Sequence, residues 1–369
     1  MREVRIKTLN GSFPFLVQRF GAGEEATNWL RETGQVGADY LSPRLAEFSA
    51  YYSNRLSYEG VAGLVERITG ERQVSDAKIQ QIVLAQAQAV SEQWAVPRPA
   101  AELPVSLPVI ATQVELYEAS AEEVLVLSDG IQVKQQKEER EAGGAREAVV
   151  TKRRVNTDVW QVEQADGNFV TLVSGLGEQA PVVERVQQVI AQEYGERESA
   201  LPIVALSDGA KSIRCDLLAI FGVVVTVILD WYHLEEKVWN LMSMIARNKE
   251  EKEKHSLAIL GQLWRGQVSA AREYLRSAVV ARNIEKLQEL EGYLAKHESE
   301  IIDYERRKEC GKAIGSGRIE KCVDQVIGAR QKHKGMSWSK SGSQALGILK
   351  TCEMNGDWER LWFSPPAAA

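Results

Sequence analysis

Apolar positions change their period along this chain, and the changes divide it. Behind Ser42 and Pro43, which suit the cap and first turn of a helix, Leu45, Phe48, Tyr51 and Tyr52 fall at three- and four-residue spacing. Ser57 caps a second periodic stretch carrying Val61, Leu64, Val65 and Ile68, and Gly70 ends it. Ser75 opens a third, from Asp76 through Ile79, Ile82 and Val83. Three short helices with a tight last turn predict a small helical, helix-turn-helix-like domain over 41–94; a plain helical bundle fits the same pattern. Residues 1–40 show no clear period and form an N-terminal segment of uncertain structure.

Residues 95–115 gather Pro97, Pro99, Pro104 and Pro108 and read as a linker. Beyond it the pattern is strand-like. Val124 to Leu127 is a short apolar run leading directly into Ser128-Asp-Gly130, and 147–150, 159–162 and 169–173 are further strand candidates, with a turn at Ala165 to Asn168. A helix follows with Val182, Val183, Val186, Val189 and Ile190 on one face. Leu201 to Leu206 is a buried-strand run ending in Ser207-Asp-Gly209, and Val223 to Leu229 is another ending in Asp230. Strands in meander, then strands alternating with helices, predict an α/β unit with a mixed sheet over 116–234. From 235 to 312 the pattern is helical only: Val238, Leu241, Met242 and Ile245 share one stripe, and Leu287, Leu290 and Leu294 another. After Gly315-Ser-Gly317 a further helix carries Ile319, Cys322, Val323, Val326 and Ile327, in a last segment over 313–369.

Composition narrows the class without naming a function. With 44% hydrophobic and 26% charged residues, the 369-residue chain is neither collagenous nor wholly disordered. The longest apolar run, 219–229, is interrupted by Gly222 and is too short to span a bilayer, and the start carries no secretory signal, so a cytoplasmic protein with no membrane partner is expected. Cys215, Cys310, Cys322 and Cys352 form no metal-binding or disulfide spacing. The net charge of −6 carries no overall nucleic-acid signature, so charge has to be read locally.

Asp129 and Asp208 each follow a buried-strand run and precede a glycine, and Glu320 opens a helix after a glycine-rich loop. Held by a sheet yet open at its edge, such carboxylates can build a site that admits substrate. Hard oxygen ligands suit Mg²⁺ or Mn²⁺, and two such ions serve an in-line phosphoryl displacement. Each Asp-Gly pair is also an ordinary turn signal. Asp230 follows a buried strand too and is the rival of Asp208. His233, three residues on, suits orienting a carboxylate or contacting DNA, since Mg²⁺ prefers oxygen.

Four ordered motifs carry a resemblance: Ser207-Asp-Gly-Ala210, Leu229-Asp-Trp-Tyr-His-Leu234, Ile314-Gly-Ser-Gly-Arg-Ile-Glu320 and Arg330-Gln-Lys-His-Lys-Gly-Met-Ser-Trp338. Together, over roughly residues 40 to 350, the chain resembles the DDE transposases of bacterial insertion sequences of the ISKra type. It is similar also to the wider Mutator and hAT groups. The resemblance implies a ribonuclease H-like catalytic core interrupted by the helical insertion. It also implies Asp129, Asp208 and Glu320 as the acidic triad, two Mg²⁺ or Mn²⁺ ions as cofactors, and Asp230-x-x-His233 as the C/D-x-x-H motif of those groups. Lys211-Ser212 departs from the pattern, where an aromatic residue is more usual.

From Arg306 to Lys350 there are eleven basic against three acidic residues, a positive stripe in an acidic chain. Arg318, Lys321, Arg330, Lys332 and Lys334 are its candidate phosphate contacts, and Trp338 suits either stacking on an unpaired base or packing in the core. The expectation is a nucleoid-associated transposase acting as a dimer or larger on double-stranded DNA. A structure-selective nuclease on the same fold and a non-catalytic DNA-binding descendant are the alternatives.

Overall fold

A computed structural model of the chain describes residues 1–21, 27–37, 39–95, 107–136, 153–332 and 335–363. The start is a hairpin of β1 (Arg2–Thr8) and β2 (Gly11–Val17), then the two-residue strands β3 (Arg19–Phe20) and β4 (Thr27–Asn28) and the single turn α1 (Trp29–Glu32). Helices α2 (Pro43–Ser53), α3 (Tyr58–Thr69) and α4 (Asp76–Ala95) come next. Their ends follow from local chemistry. Ser42, Ser57 and Ser75 accept the N–H groups of Leu45, Gly60 and Lys78, and Gly70 takes the left-handed conformation that closes α3.

The sheet is built from β5 (Val124–Lys134), β6 (Arg154–Glu163), β7 (Phe169–Leu172), β8 (Ile203–Ser207) and β9 (Thr226–Leu229), in the spatial order β7-β6-β5-β8-β9. β6 runs antiparallel to both neighbours, whereas β5, β8 and β9 are mutually parallel. Parallel pairs need crossovers, and α5 (Val182–Tyr194) and α6 (Lys211–Phe221) flank β8 on its two connections. The pleat sorts the apolar residues: Val124, Val126, Ile203 and Ala205 pack with Val186 and Ile190 of α5 and Ile213 and Leu217 of α6. Leu127, Val204, Leu206 and Ile228 face the other way, into a second and larger core. This mixed α/β sheet is compatible with the ribonuclease H-like order that the sequence resemblance implies.

The larger core is closed by helices from later in the chain. α7 (Trp231–Ile245), α8 (Lys249–Leu263), α9 (Val268–Ala278), α10 (Ile284–Lys296) and α11 (Tyr304–Glu309) precede α12 (Gly317–Val323), which passes through one π-helical turn at Asp324–Gly328 into α13 (Ala329–Gln331). α14 (Lys340–Met354) and α15 (Trp358–Phe363) follow. Val238, Leu241, Met242, Ile245, Leu290 and Leu294 are buried, as are all five apolar residues of the stripe from Ile319 to Ile327. Ala87 and Val90 of α4 enter the same core as Ala345 and Leu349 of α14. Arg307 is wholly buried on α11 and grips Glu123 with two hydrogen bonds of 2.6 and 3.0 Å. That pair ties the helical segment to the entry of β5. Among the described residues no helix is long and apolar enough to cross a membrane.

One element differs from its sequence expectation. Ser128-Asp-Gly130 is no turn: β5 runs on to Lys134, paired throughout with β6. Gly130 sits opposite Asp158, and a Cβ there would stand 2.9 Å from the Asp158 carboxylate. Its glycine therefore serves a close cross-strand approach. The strand expected at 147–150 lies outside the described residues, as does the linker stretch 96–106.

Candidate functional site

The parallel register sets the site. Leu127 pairs with Leu206, and Leu206 with Ile228. Two residues on, Asp129 lies within β5, while Asp208 and Asp230 directly follow the ends of β8 and β9. The parallel pairing of β5 with β8 ends at Leu127 and Leu206, so Asp129 stands where β5 has lost its neighbour on that side. The acids therefore stand at the carboxyl ends of the parallel strands.

Two of the three aspartates are open and one is closed. Asp129 accepts the Gly130 N–H at 2.7 Å, and Asp208 accepts the Ala210 N–H at 2.7 Å, each through one oxygen. Asp230 is fully buried and uses both oxygens. As the N-cap of α7, its Oδ1 accepts the N–H groups of Tyr232 (2.6 Å) and His233 (3.0 Å), while Oδ2 accepts both the N–H and the hydroxyl of Ser316. It clamps the Gly315-Ser-Gly317 loop onto the start of α7. Gly315 is needed for that approach, because a Cβ there would come within 2.5 Å of the Tyr232 ring.

The clamp aims Glu320. α12 starts at the clamped loop, buries Ile319, Cys322 and Val323, and leaves Glu320 on its outer side. There its Oε1 lies 3.2 Å from His233 Nε2 and 3.5 Å from the Ser316 hydroxyl. Ligand atoms of Asp230, His233 and Glu320 all fall within 4.8 Å of one another. Both Asp230 oxygens already accept hydrogen bonds, so the trio also works as a hydrogen-bonded brace. The open carboxylates are those of Asp129, Asp208 and Glu320.

Electrostatics couples these three. Burial foremost, and then the charges of Asp208 and Glu320, push the Asp129 carboxyl above its ordinary range, against the pull of the Gly130 amide and of His233. Like charges gathered at this site favour a multivalent cation, and an all-oxygen donor set suits the hard ions Mg²⁺ and Mn²⁺. The residues present thus fit such ions.

The basic residues divide by exposure. Arg318, Lys321 and Lys332 are exposed, with the Arg318 guanidinium 4.2 Å from the centre of the Phe169 ring. Arg330 is buried: its Nε donates to the Ser53 carbonyl at 2.7 Å and its guanidinium covers the Trp338 ring. Trp338 is buried too, with Nε1 donating to the Gln331 carbonyl at 3.1 Å and its main chain pairing with the end of β5. Lys334 lies outside the described residues.

Three residues of the site were missed in the sequence. Ser316 reads as part of a glycine-rich loop, though a serine between two glycines just before a helix is itself a capping signal. His297 and Glu300 lie beneath the Asp208 turn, and nothing local to them announces it.

No family model matches the chain, and no curated protein does. Among solved structures, the chain is similar to the Drosophila P element transposase strand transfer complex, at 10% identity and a TM-score of 0.28, over 90% of this chain and 83% of that one.

Proposed function

We propose that the protein is a DNA transposase of a bacterial insertion sequence, cutting and joining DNA at the Asp129, Asp208 and Glu320 carboxylates. One observation carries this reading: Asp129 on β5, Asp208 after β8 and Glu320 on α12 lie near enough that, beyond its burial, the charges of Asp208 and Glu320 push the Asp129 carboxyl up. The four ordered sequence motifs support it, since they supply two of the acids and the brace between α7 and α12.

In this reading Asp129, Asp208 and Glu320 hold two Mg²⁺ or Mn²⁺ ions. Such ions, when bound, stabilise the attacking and leaving oxygens of a phosphodiester displacement. The chain's own part is positioning. Asp230 and Ser316 fix the loop that starts α12, and His233 holds the Glu320 carboxylate by its Oε1. Arg318, Lys321 and Lys332, exposed on the same carboxyl-terminal segment as Glu320, attract the phosphates of double-stranded DNA. Arg330 and Trp338 act from beneath, packing α13 against α2 and the end of β5. Joining two ends requires two active sites, so the working form is a dimer or larger. The three helices α2–α4 supply a helix-turn-helix-like unit for recognising the ends.

The test is incubation of the purified protein with labelled duplex DNA carrying the sequences that flank its coding region. Mg²⁺, Mn²⁺ and chelator are compared, with Asp129→Asn, Asp208→Asn and Glu320→Gln as controls. Site-specific cleavage and end joining, lost with chelator and in each variant while DNA binding persists, are expected. Cleavage without joining would assign a nuclease. Cleavage retained in all three variants would overturn the site.

A further inference from the structure

Beneath the Asp208 turn lies a buried histidine that the site described so far does not use. His297, at the end of α10, is 1% exposed. Its surroundings hold it from three sides. The Nδ1 atom meets Glu300 Oε2 at 2.5 Å, the Tyr293 ring packs on it at 4.7 Å between centres, and Glu300 accepts the Leu229 N–H of β9 through its main-chain carbonyl at 2.9 Å. Glu300 is further tied to Arg214 of α6. The ring is thus referenced both to the last strand of the sheet and to the helix that follows Asp208.

The remaining ring edge has no hydrogen-bond partner. Nε2 is buried and unpaired, and it faces the Asp208-Gly209 turn: a Cβ on Gly209 would stand 3.1 Å from His297 Cε1 and 3.3 Å from Nε2. Gly209 has φ +85°, which by itself favours glycine. The turn therefore rests directly on the imidazole edge. A buried polar atom left unpaired is costly, and such atoms in native structures call for an explanation beyond packing. Glu300 holds the ring by its Nδ1 side and leaves the Cε1–Nε2 edge packed against the turn.

We propose that His297 is a positioning residue for Asp208: the Cε1–Nε2 edge of its ring packs under the Asp208-Gly209 turn and fixes where the Asp208 carboxylate stands relative to Asp129 and Glu320. It does so from the helical segment between β9 and α12, so the packing of that segment sets the geometry of the cation site. The inference rests on the reading of Asp208 as a ligand of divalent cations.

The experiment titrates the full-length protein with Mn²⁺, following free Mn²⁺ by electron paramagnetic resonance, and measures DNA cleavage against Mn²⁺ concentration in parallel. The variants are His297→Ala, His297→Asn and His297→Gln, with Asp208→Ala as control. Asparagine places its amide near the Nδ1 position and can keep the bond to Glu300; glutamine reaches the Nε2 position. Loss of a residue that orients a metal ligand typically weakens binding about 10–100-fold. His297→Ala is expected to bind Mn²⁺ at least tenfold more weakly, with unchanged DNA affinity, and His297→Gln to recover more of that loss than His297→Asn. If His297→Ala binds Mn²⁺ within threefold of the unmodified protein, or asparagine rescues as well as glutamine, the role of that ring edge is overturned. Should the unmodified protein bind no more Mn²⁺ than Asp208→Ala, the cation site itself falls, and the inference with it.

Discussion

Asp230 offers the sharpest test of how the site is built, because the structure makes it a clamp whereas a plain reading of its position makes it a ligand. Replacing it with alanine removes an N-cap, which costs about 1 kcal/mol. It also strands the Ser316 N–H and hydroxyl, both pointed at Asp230 Oδ2 inside the protein. Each stranded donor costs about 1–3 kcal/mol. Removing a buried carboxylate returns part of its own desolvation penalty, so the net loss should be about 2–4 kcal/mol, a large share of the roughly 5–15 kcal/mol that holds a typical domain. Asp230→Asn should lose less, since the Oδ1 cap survives and only the side facing Ser316 is mismatched. The assay is urea denaturation in excess chelator, where no cation contributes. Ser316→Ala and the double variant complete a cycle, in which a coupling of about 1–3 kcal/mol between the two residues is expected. Should Asp230→Ala unfold within about 1 kcal/mol of the unmodified protein in chelator, yet lose Mn²⁺ binding, the clamp is wrong and Asp230 is a ligand.

Other expectations concern the supports of the site. Arg307→Ala leaves the Glu123 carboxylate in a buried place with only Lys312, at 3.1 Å, to neutralise it; the loss should be about 3–5 kcal/mol by denaturant unfolding. Glu300 titrates below the ordinary carboxylate range: burial pushes its carboxyl up, but the His297 hydrogen bond and the charges of His297 and Arg214 outweigh it. A depressed folded value contributes stability in full above the unfolded value of about 4.3, and that contribution is lost as pH falls through the lower folded value. Acid unfolding curves should therefore be less steep below about pH 4 for Glu300→Gln, and an unchanged slope would refute the assignment.

Much of the fold was legible because its signals are local. Ser42 with Pro43, Ser57 with Gly70, and Ser75 mark the helix ends that α2, α3 and α4 show. The runs around Val126, Val204 and Ile228 became β5, β8 and β9. The N-terminal hairpin was also within reach, through the turn pair Asn10-Gly11, but weak alternation on its flanks hid it. Two features were out of reach for a physical reason. The continuation of β5 past Gly130 is made by pairing with β6, twenty or more residues away, and the burial of Arg330 and Trp338 depends on Ser53 and the end of β5, both far away in sequence.

The choice between Asp208 and Asp230 shows where sequence reasoning stops and why. Each follows an apolar strand, and Ser207 pairs with Leu229, so the two aspartates directly follow the paired ends of adjacent parallel strands. No local propensity distinguishes them. What separates them is the occupant of the space in front of each. Before Asp230 stands Ser316, delivered by a loop more than eighty residues downstream, and its two donors turn that carboxylate into a structural fastener. Before Asp208 there is no such partner among the described residues; beneath it lies His297, packed against the turn, and the one hydrogen bond of the Asp208 carboxylate comes from the Ala210 N–H. Both partners come from the chain beyond β9. The segment that separates Glu320 from the sheet in sequence thus also decides which sheet-edge acids are free to act.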